Sequence, residues 1–201
     1  MNSSAPTEFH LKPDEVIERL RELDAVLEGH FKLSSGVHSN RYFQCARVLQ
    51  YPGLAKELGR LLGEQFNEIE IDFVLSPAVG GMIIGHEVAR ALGRRHVFAE
   101  RRDGKFSVRR GFEMKKGERA LIVDDVLTRG TSFREMTELV KTHEAEAAGL
   151  GVIIDRRDPG VQLDLPVASL IQVEVATHPP EDCPLCREGV ALDSPGSRHG
   201  A

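Results

Sequence analysis

The 201-residue chain has no tryptophan, two tyrosines and three cysteines, and it carries neither a basic excess nor a long apolar run. Each absence excludes something. Cys45, Cys183 and Cys186 are too few for the disulfide framework of a small secreted domain. With 26 basic against 31 acidic residues the net charge is −5, which is not the balance of a general nucleic-acid binder. A membrane-spanning helix needs about 20 consecutive apolar residues, and no stretch approaches that. Met1 to Glu8 has neither the charged nor the apolar block of a secretory signal. The expectation is a cytoplasmic protein with small-molecule substrates and no nucleic-acid or membrane partner. Cys183-Pro-Leu-Cys186 is half of a zinc-site spacing, and no second Cys-x-x-Cys exists. Cys45, His178 or His199 would complete it only if the fold gathered them; otherwise the two are reduced thiols in a surface turn.

What is present is alternation. Val16, Ile17, Leu20, Leu23 and Leu27 form a helical stripe over Pro13 to Leu27, with Pro13 suited to a first turn. Leu54 to Phe66 repeats the pattern. Ile71 to Leu75 reads as a strand, Gly81 to Leu92 as a helix closed by Gly93, and His96 to Ala99 as a strand. Ala120 to Val123 is another strand, followed by a helix from Ser132 to Ala147 and strands over Leu150 to Ile154 and Ser169 to Val175. This order predicts an α/β fold, a twisted and mostly parallel sheet flanked by helices. One domain over residues 1–201 is expected, with an N-terminal part over 10–50, a core over 54–178 and an irregular cap over 179–201.

The most informative stretch is Arg119-Ala-Leu-Ile-Val-Asp124-Asp125-Val126-Leu127-Thr128-Arg129-Gly130-Thr131-Ser132. An apolar strand runs into two adjacent carboxylates, then a small-residue turn, then a helix. The turn leaves backbone N–H groups at a helix N-terminus, which is a ready anion site. The carboxylates accept hydrogen bonds from a diol. Phosphate at one end and vicinal hydroxyls at the other outline a ribose 5-phosphate.

This stretch resembles the signature of the type I phosphoribosyltransferases, which use phosphoribosyl pyrophosphate (PRPP). The resemblance implies that the loop from Val126 to Ser132 holds the 5-phosphate and that Asp124 and Asp125 hold the ribose hydroxyls. It also implies a sheet with a small N-terminal hood, and Mg²⁺ carried on PRPP with no direct protein ligand. Arg129 and Thr131 stand where family members commonly have a small residue and a glycine. Thr131 is expected to restrict how the loop curls, because only glycine takes positive φ without steric cost.

Four further stretches resemble the orotate branch of that family. Phe31 to Gln44, containing Ser35 and Phe43, is similar to the hood segment that lies against orotate, although Ser34 stands where many members have lysine. Ser76-Pro-Ala-Val79-Gly80-Gly81 is similar to the pyrophosphate loop, with Gly80 where some members have lysine. Glu100 to Gly111 carries five cations, Arg101, Arg102, Lys105, Arg109 and Arg110. It is similar to the flexible catalytic loop that reaches a neighbouring subunit's site, which implies a homodimer. A solvated basic hairpin is the plainer reading of such a charge run. Asp155-Arg156 is similar to the pair whose arginine binds the orotate carboxylate, a role suited to the fork of guanidinium donors. The implied reaction joins orotate to PRPP's phosphoribosyl group and releases pyrophosphate, with Lys105, Arg101 and Arg109 neutralising the leaving group and Thr128 assisting Arg156. A transferase for another base, and a regulator that binds PRPP without catalysis, are the alternatives.

Overall fold

The computed structural model describes residues 11–33, 35–158 and 160–195. A single 3-10 turn over Pro13–Glu15 leads into α1 (Val16–Glu22). The stripe predicted a helix through Leu27, but the helix ends earlier. Asp24 takes a left-handed φ of 51°, its N–H bonds the Arg21 carbonyl, and the Ala25 N–H bonds the Leu20 carbonyl at 2.8 Å. This is a Schellman closure made without glycine, and Leu27 belongs to strand β1 (Val26–Lys32). β2 (His38–Phe43) pairs antiparallel with β1. Short helix α2 (Ala46–Leu49) then precedes α3 (Pro52–Glu64).

The central sheet follows. Its strands are β3 (Phe73–Pro77), β4 (Arg95–Arg102), β5 (Lys105–Val108), β6 (Arg119–Leu127), β7 (Glu146–Asp155) and β8 (Val167–Gln172). They lie in the order β5-β4-β3-β6-β7-β8, all parallel except β5 against β4. Between them run α4 (Met82–Leu92), closed by Gly93 at φ 64° as expected, and α5 (Thr131–Thr142). α5 stops short of Ala147 by the same device as α1. Glu144 sits at φ 55° and the Ala145 N–H bonds the Val140 carbonyl.

Alternation along each strand feeds two cores. In β3 and β6, Val74, Leu121 and Val123 face the side covered by α3 and α4, while Phe73, Leu75, Ala120 and Ile122 face α5 residues such as Met136 and Val140. A sheet buried on both faces reads in sequence as continuous apolar runs. A second sheet of β1, β2 and the two-residue β9 (Thr177–His178) sits at the N-terminal side, with His38 paired to His178. Four-residue α6 (Pro184–Arg187) lies in the tail. Among the described residues no helix is long and apolar enough to cross a membrane. Ser34 and His199 fall outside the described residues.

Two sequence expectations shift here. β6 extends through Leu127, because its pairing with β7 continues from Asp124 opposite Val152 to Leu127 opposite Asp155. The two carboxylates therefore sit inside the strand. The stretch 100–111 is in large part a hairpin, since Asp103 and Gly104 take φ 49° and 81° and turn β4 tightly into β5. Two left-handed residues in succession match strand twist in such a turn.

Candidate active site

Strand alternation sends Asp124 toward α5 and Asp125 toward the hood. Asp124 lines a cavity of about 220 Å³ whose floor is the loop from Leu127 to Ser132 and the start of α5. Asp125 lines a second cavity of about 210 Å³, with Phe43, Tyr42 and Arg156. The two adjoin, sharing Ser35, Val126, Thr128 and Ser132. Asp124 Oδ1 accepts the Asp125 N–H at 2.9 Å and Asp125 Oδ1 accepts the Val126 N–H at 2.8 Å. Burial raises both carboxyl pKa values, and the charge of Asp125 raises that of Asp124 further.

The left-handed residue of the loop is Gly130, at φ 71°. A Cβ there would lie 2.8 Å from the Leu163 side chain. Thr131 is the first residue of α5 and is not in the left-handed region, so the restriction expected of it does not arise. The first bond of the helix runs from the Arg134 N–H to the Gly130 carbonyl at 2.9 Å. The N–H groups of Thr131, Ser132 and Phe133 lie in the first helical turn, where no intrahelical acceptor exists, and all three residues line the first cavity. Gly130→Val is expected to destabilise the fold by about 1–2 kcal/mol from backbone strain alone. Thermal melting of the variant checks it; an unchanged melting temperature would show that the turn accommodates a Cβ.

The loop after β3 approaches the same carboxylates. A Cβ on Gly81 would lie 2.9 Å from the Val123 carbonyl and 3.0 Å from Asp124 Oδ1, and one on Gly80 would lie 3.3 Å from Asp125 Oδ1. The glycines set how closely this loop lies against β6. The Ala78–Val79 peptide is cis.

Arg156 follows β7 and is 6% exposed. Its Nη1 donates to the Arg41 carbonyl and its Nη2 to Ser39 Oγ, each at 3.3 Å, while Nε has no partner. The guanidinium carbon lies 5.6 Å from the centre of the Phe43 ring. Neighbouring Asp155 pairs instead with Arg157 at 3.0 Å. Among the described residues no carboxylate forms an ion pair with Arg156. Burial lowers its pKa, with the charge of Asp158 acting in the opposite direction.

Most sequence-selected residues converge, but some do not. Arg101 lines the first cavity, held at 2.6 Å by Glu135 of α5 and lying over Phe106. Arg129 lines the same cavity. Lys105 and Arg109 are exposed on the hairpin and line neither cavity. Arg110 is engaged by Glu100 at 2.8 Å. Glu135 is a lining residue that the sequence reading passed over, since it lies beyond the loop signature, whereas Tyr42 lines the second cavity from within the hood segment already singled out. Cys45 lies buried in the larger core, away from Cys183 and Cys186. The residues beside those two thiols are His30 and His38, not Cys45 or His178; strand pairing in the hood brings the histidines there.

The mostly parallel sheet, with a carboxylate pair near the C-terminal end of a central strand and a loop that opens a helix beyond it, is that of a phosphoribosyltransferase, and the family model for the phosphoribosyl transferase domain matches residues 44–181. The orotate phosphoribosyltransferase of Caldanaerobacter subterraneus subsp. tengcongensis is 45% identical over 188 residues, covering 94% of this chain and 99% of the relative. That of Pelotomaculum thermopropionicum is 47% identical over 185 residues, covering 92% and 97%. Among solved structures, orotate phosphoribosyltransferase from Aeropyrum pernix superposes with a TM-score of 0.66 at 26% identity, covering 79% of this chain and 93% of that one. An adenine phosphoribosyltransferase from Thermoanaerobacter pseudethanolicus shares the fold, with a TM-score of 0.59 at 15% identity over 66% of this chain and 88% of that one. The chain belongs to the orotate phosphoribosyltransferase family.

Proposed function

We propose that the protein transfers the phosphoribosyl group of PRPP to orotate, giving orotidine 5′-monophosphate and pyrophosphate in pyrimidine nucleotide synthesis. The observation that carries the base assignment is Arg156, a buried guanidinium with no acidic partner among the described residues, in a cavity adjoining the anion loop. The orotate carboxylate would supply the missing counter-ion, with Phe43, Ser35 and the Thr128 hydroxyl around the ring. The loop amides hold the 5-phosphate, and Asp124 and Asp125 accept the ribose hydroxyls. Breaking the bond from C1′ to pyrophosphate builds positive charge on the ribose, so positioning and electrostatics carry the catalysis. The carboxylate pair lies at the junction of the two cavities, where that charge develops. Arg101 and the Gly80–Gly81 loop receive pyrophosphate.

Two oxygen-donor carboxylates beside the phosphate cavity fit a hard cation that arrives on PRPP's own oxygens. Mg²⁺ carried in this way, without a direct protein ligand, would supply charge neutralisation to the departing pyrophosphate. The assay is orotate absorbance loss with PRPP and Mg²⁺, beside adenine, hypoxanthine and uracil. Orotate loss that requires PRPP, with matching pyrophosphate release, is expected. Turnover of another base instead would overturn the role of Arg156. PRPP binding without any turnover would make the protein a PRPP-responsive regulator.

The protein is further proposed to act as a cytoplasmic homodimer. Lys105 and Arg109 are exposed and line neither cavity of their own chain, although Arg101 of the same hairpin lines the first, which suits residues that serve a second copy's site. Mixing Lys105→Ala protein with Asp125→Asn protein is then expected to restore about a quarter of the wild-type sites, the fraction that draws both intact residues from different chains of a twofold dimer. Activity no greater than the sum of the two separate variants would assign Lys105 to its own subunit or to no site.

A further inference from the structure

Outside the active site, four side chains meet where the tail crosses the hood. His30 comes from β1, His38 from β2, Cys183 from the N-cap of α6 and Cys186 from within that short helix. His30, His38 and Cys183 are each at most 4% exposed, and Cys186 lies on the outer side. One ligand atom from each lies within 4.8 Å of every other. His30 Nε2 is 2.9 Å from His38 Nδ1, 3.4 Å from Cys183 Sγ and 3.7 Å from Cys186 Sγ, and Cys186 Sγ is 3.3 Å from His38 Nδ1.

The three nitrogen–sulfur separations, 3.3, 3.4 and 3.7 Å, lie near the edges of one tetrahedron, while the nitrogen–nitrogen contact of 2.9 Å is shorter than such an edge. Zinc–nitrogen and zinc–sulfur bonds of about 2.0 and 2.3 Å place tetrahedral ligands roughly 3.3 Å apart for two nitrogens and roughly 3.5 Å for nitrogen and sulfur. A hydrogen-bond network explains the cluster less well. The Nε2 lone pair of His30 accepts one hydrogen, yet three donors converge on it. The other ring nitrogen settles the tautomer: His30 Nδ1–H donates to the Val190 carbonyl at 2.8 Å, which leaves Nε2 free to ligate. A backbone carbonyl on the non-ligating nitrogen is the usual support of a metal-bound imidazole.

Local structure is built around these four residues. The pairing of β1 with β2 slips between Glu28 and Phe31, a bulge that buries His30 and Phe31 in succession where simple alternation would expose one of them. The tail is tied to the same strand by the Asp193 N–H to the His30 carbonyl and the Lys32 N–H to the Asp193 carbonyl, each 2.8 Å.

We propose that His30, His38, Cys183 and Cys186 bind one Zn²⁺ that clamps the C-terminal segment to the hood. Two thiolates and two imidazoles in tetrahedral array select zinc over the harder cations. Four protein ligands leave no open position, so the site is structural. Its consequence reaches the active site through β2. Ser39 follows His38, and Ser39 Oγ and the Arg41 carbonyl are the two acceptors that hold Arg156. The ion thereby fixes the strand that braces the base-binding arginine.

The test is elemental analysis of the untagged full-length protein, produced with zinc in the medium and purified under reducing conditions. About one zinc per chain is expected, with cobalt exchange giving the intense thiolate-to-cobalt and tetrahedral d–d bands. Chelation is expected to lower the melting temperature by about 5 °C or more, reversed by added zinc. Cys186→Ser is expected to lose the metal and His178→Ala to keep it. Less than about a tenth of an ion per chain, with melting indifferent to added zinc, overturns the proposal. A Cys183–Cys186 disulfide found by mass spectrometry in the untreated protein overturns it equally, and neither result requires a variant to fold.

Discussion

Arg156→Met is expected to raise the KM for orotate about 100-fold or more, roughly 2.7 kcal/mol, while the KM for PRPP changes little. The side chain is buried with no ion-paired carboxylate among the described residues, so its charge is largely desolvated, with the charge of Asp158 offsetting only part of the burial. A buried charge of that kind costs stability in the free protein. The variant is therefore expected to melt at the wild-type temperature or above it. Of the two acceptors that Arg156 leaves behind, Ser39 Oγ keeps other partners: it accepts the Arg41 N–H at 3.2 Å and donates to the Ala176 carbonyl at 3.3 Å. Orotate is expected to raise the melting temperature of the wild type by mass action and to leave the variant unmoved. Equal losses for orotate and PRPP, or a variant that melts far lower, would make Arg156 a structural residue.

Asp125→Asn carries the second large effect, with the opposite charge and the same logic. Its loss is expected to lower kcat by about 10²-fold or more, since a carboxylate facing developing positive charge in a shielded site contributes mainly in the transition state. Burial holds its pKa above the unfolded value of about 3.9. The folded protein then binds the proton at higher pH than the unfolded chain. Stability falls as pH rises through that window, and the cost is complete above the folded pKa. The asparagine variant removes this cost. It is expected to melt above the wild type at neutral pH, with the difference shrinking as acid protonates the wild-type carboxyl. Asp124 adds to the same effect, because the charge of Asp125 is one reason its own pKa is raised. Melting curves and kcat at several pH values check both halves. A variant less stable at neutral pH than at acid pH relative to wild type would reverse the sign.

Both predictions describe one property. The site holds a cation with no ion-paired acid among the described residues on one side and a carboxylate pair of raised pKa on the other, and ligand charges are what relieve each. Activity and stability of the free chain therefore oppose one another at these positions.

How far the sequence led depends on the kind of residue. Gly93 marked the end of α4 because glycine is the common left-handed closer. Asp24 and Glu144 close α1 and α5 by the same geometry, and both ends were overrun because acidic residues carry no such signal. The two apolar runs of β3 and β6 announced strands buried on both faces. The length of β6 did not show, since β7 pairing carries the strand through two aspartates that local propensity disfavours.

The sequence by itself determined the α/β order, the anion loop, the carboxylate pair and the arginine after β7. These are local motifs, written in residues that are neighbours along the chain. Tertiary structure alone decided the rest. It placed Asp124 and Asp125 in different cavities, left Arg156 without an ion-paired acid among the described residues, and kept Lys105 and Arg109 out of both cavities. It also set Cys183 and Cys186 beside His30 and His38 rather than Cys45 or His178. Those facts depend on strand register and on contacts between segments more than 100 residues apart in the chain, such as His30 with Cys183 at a separation of 153. No local pattern encodes such a meeting, because which strands pair, and in what register, is settled only when both faces of the sheet are buried at once.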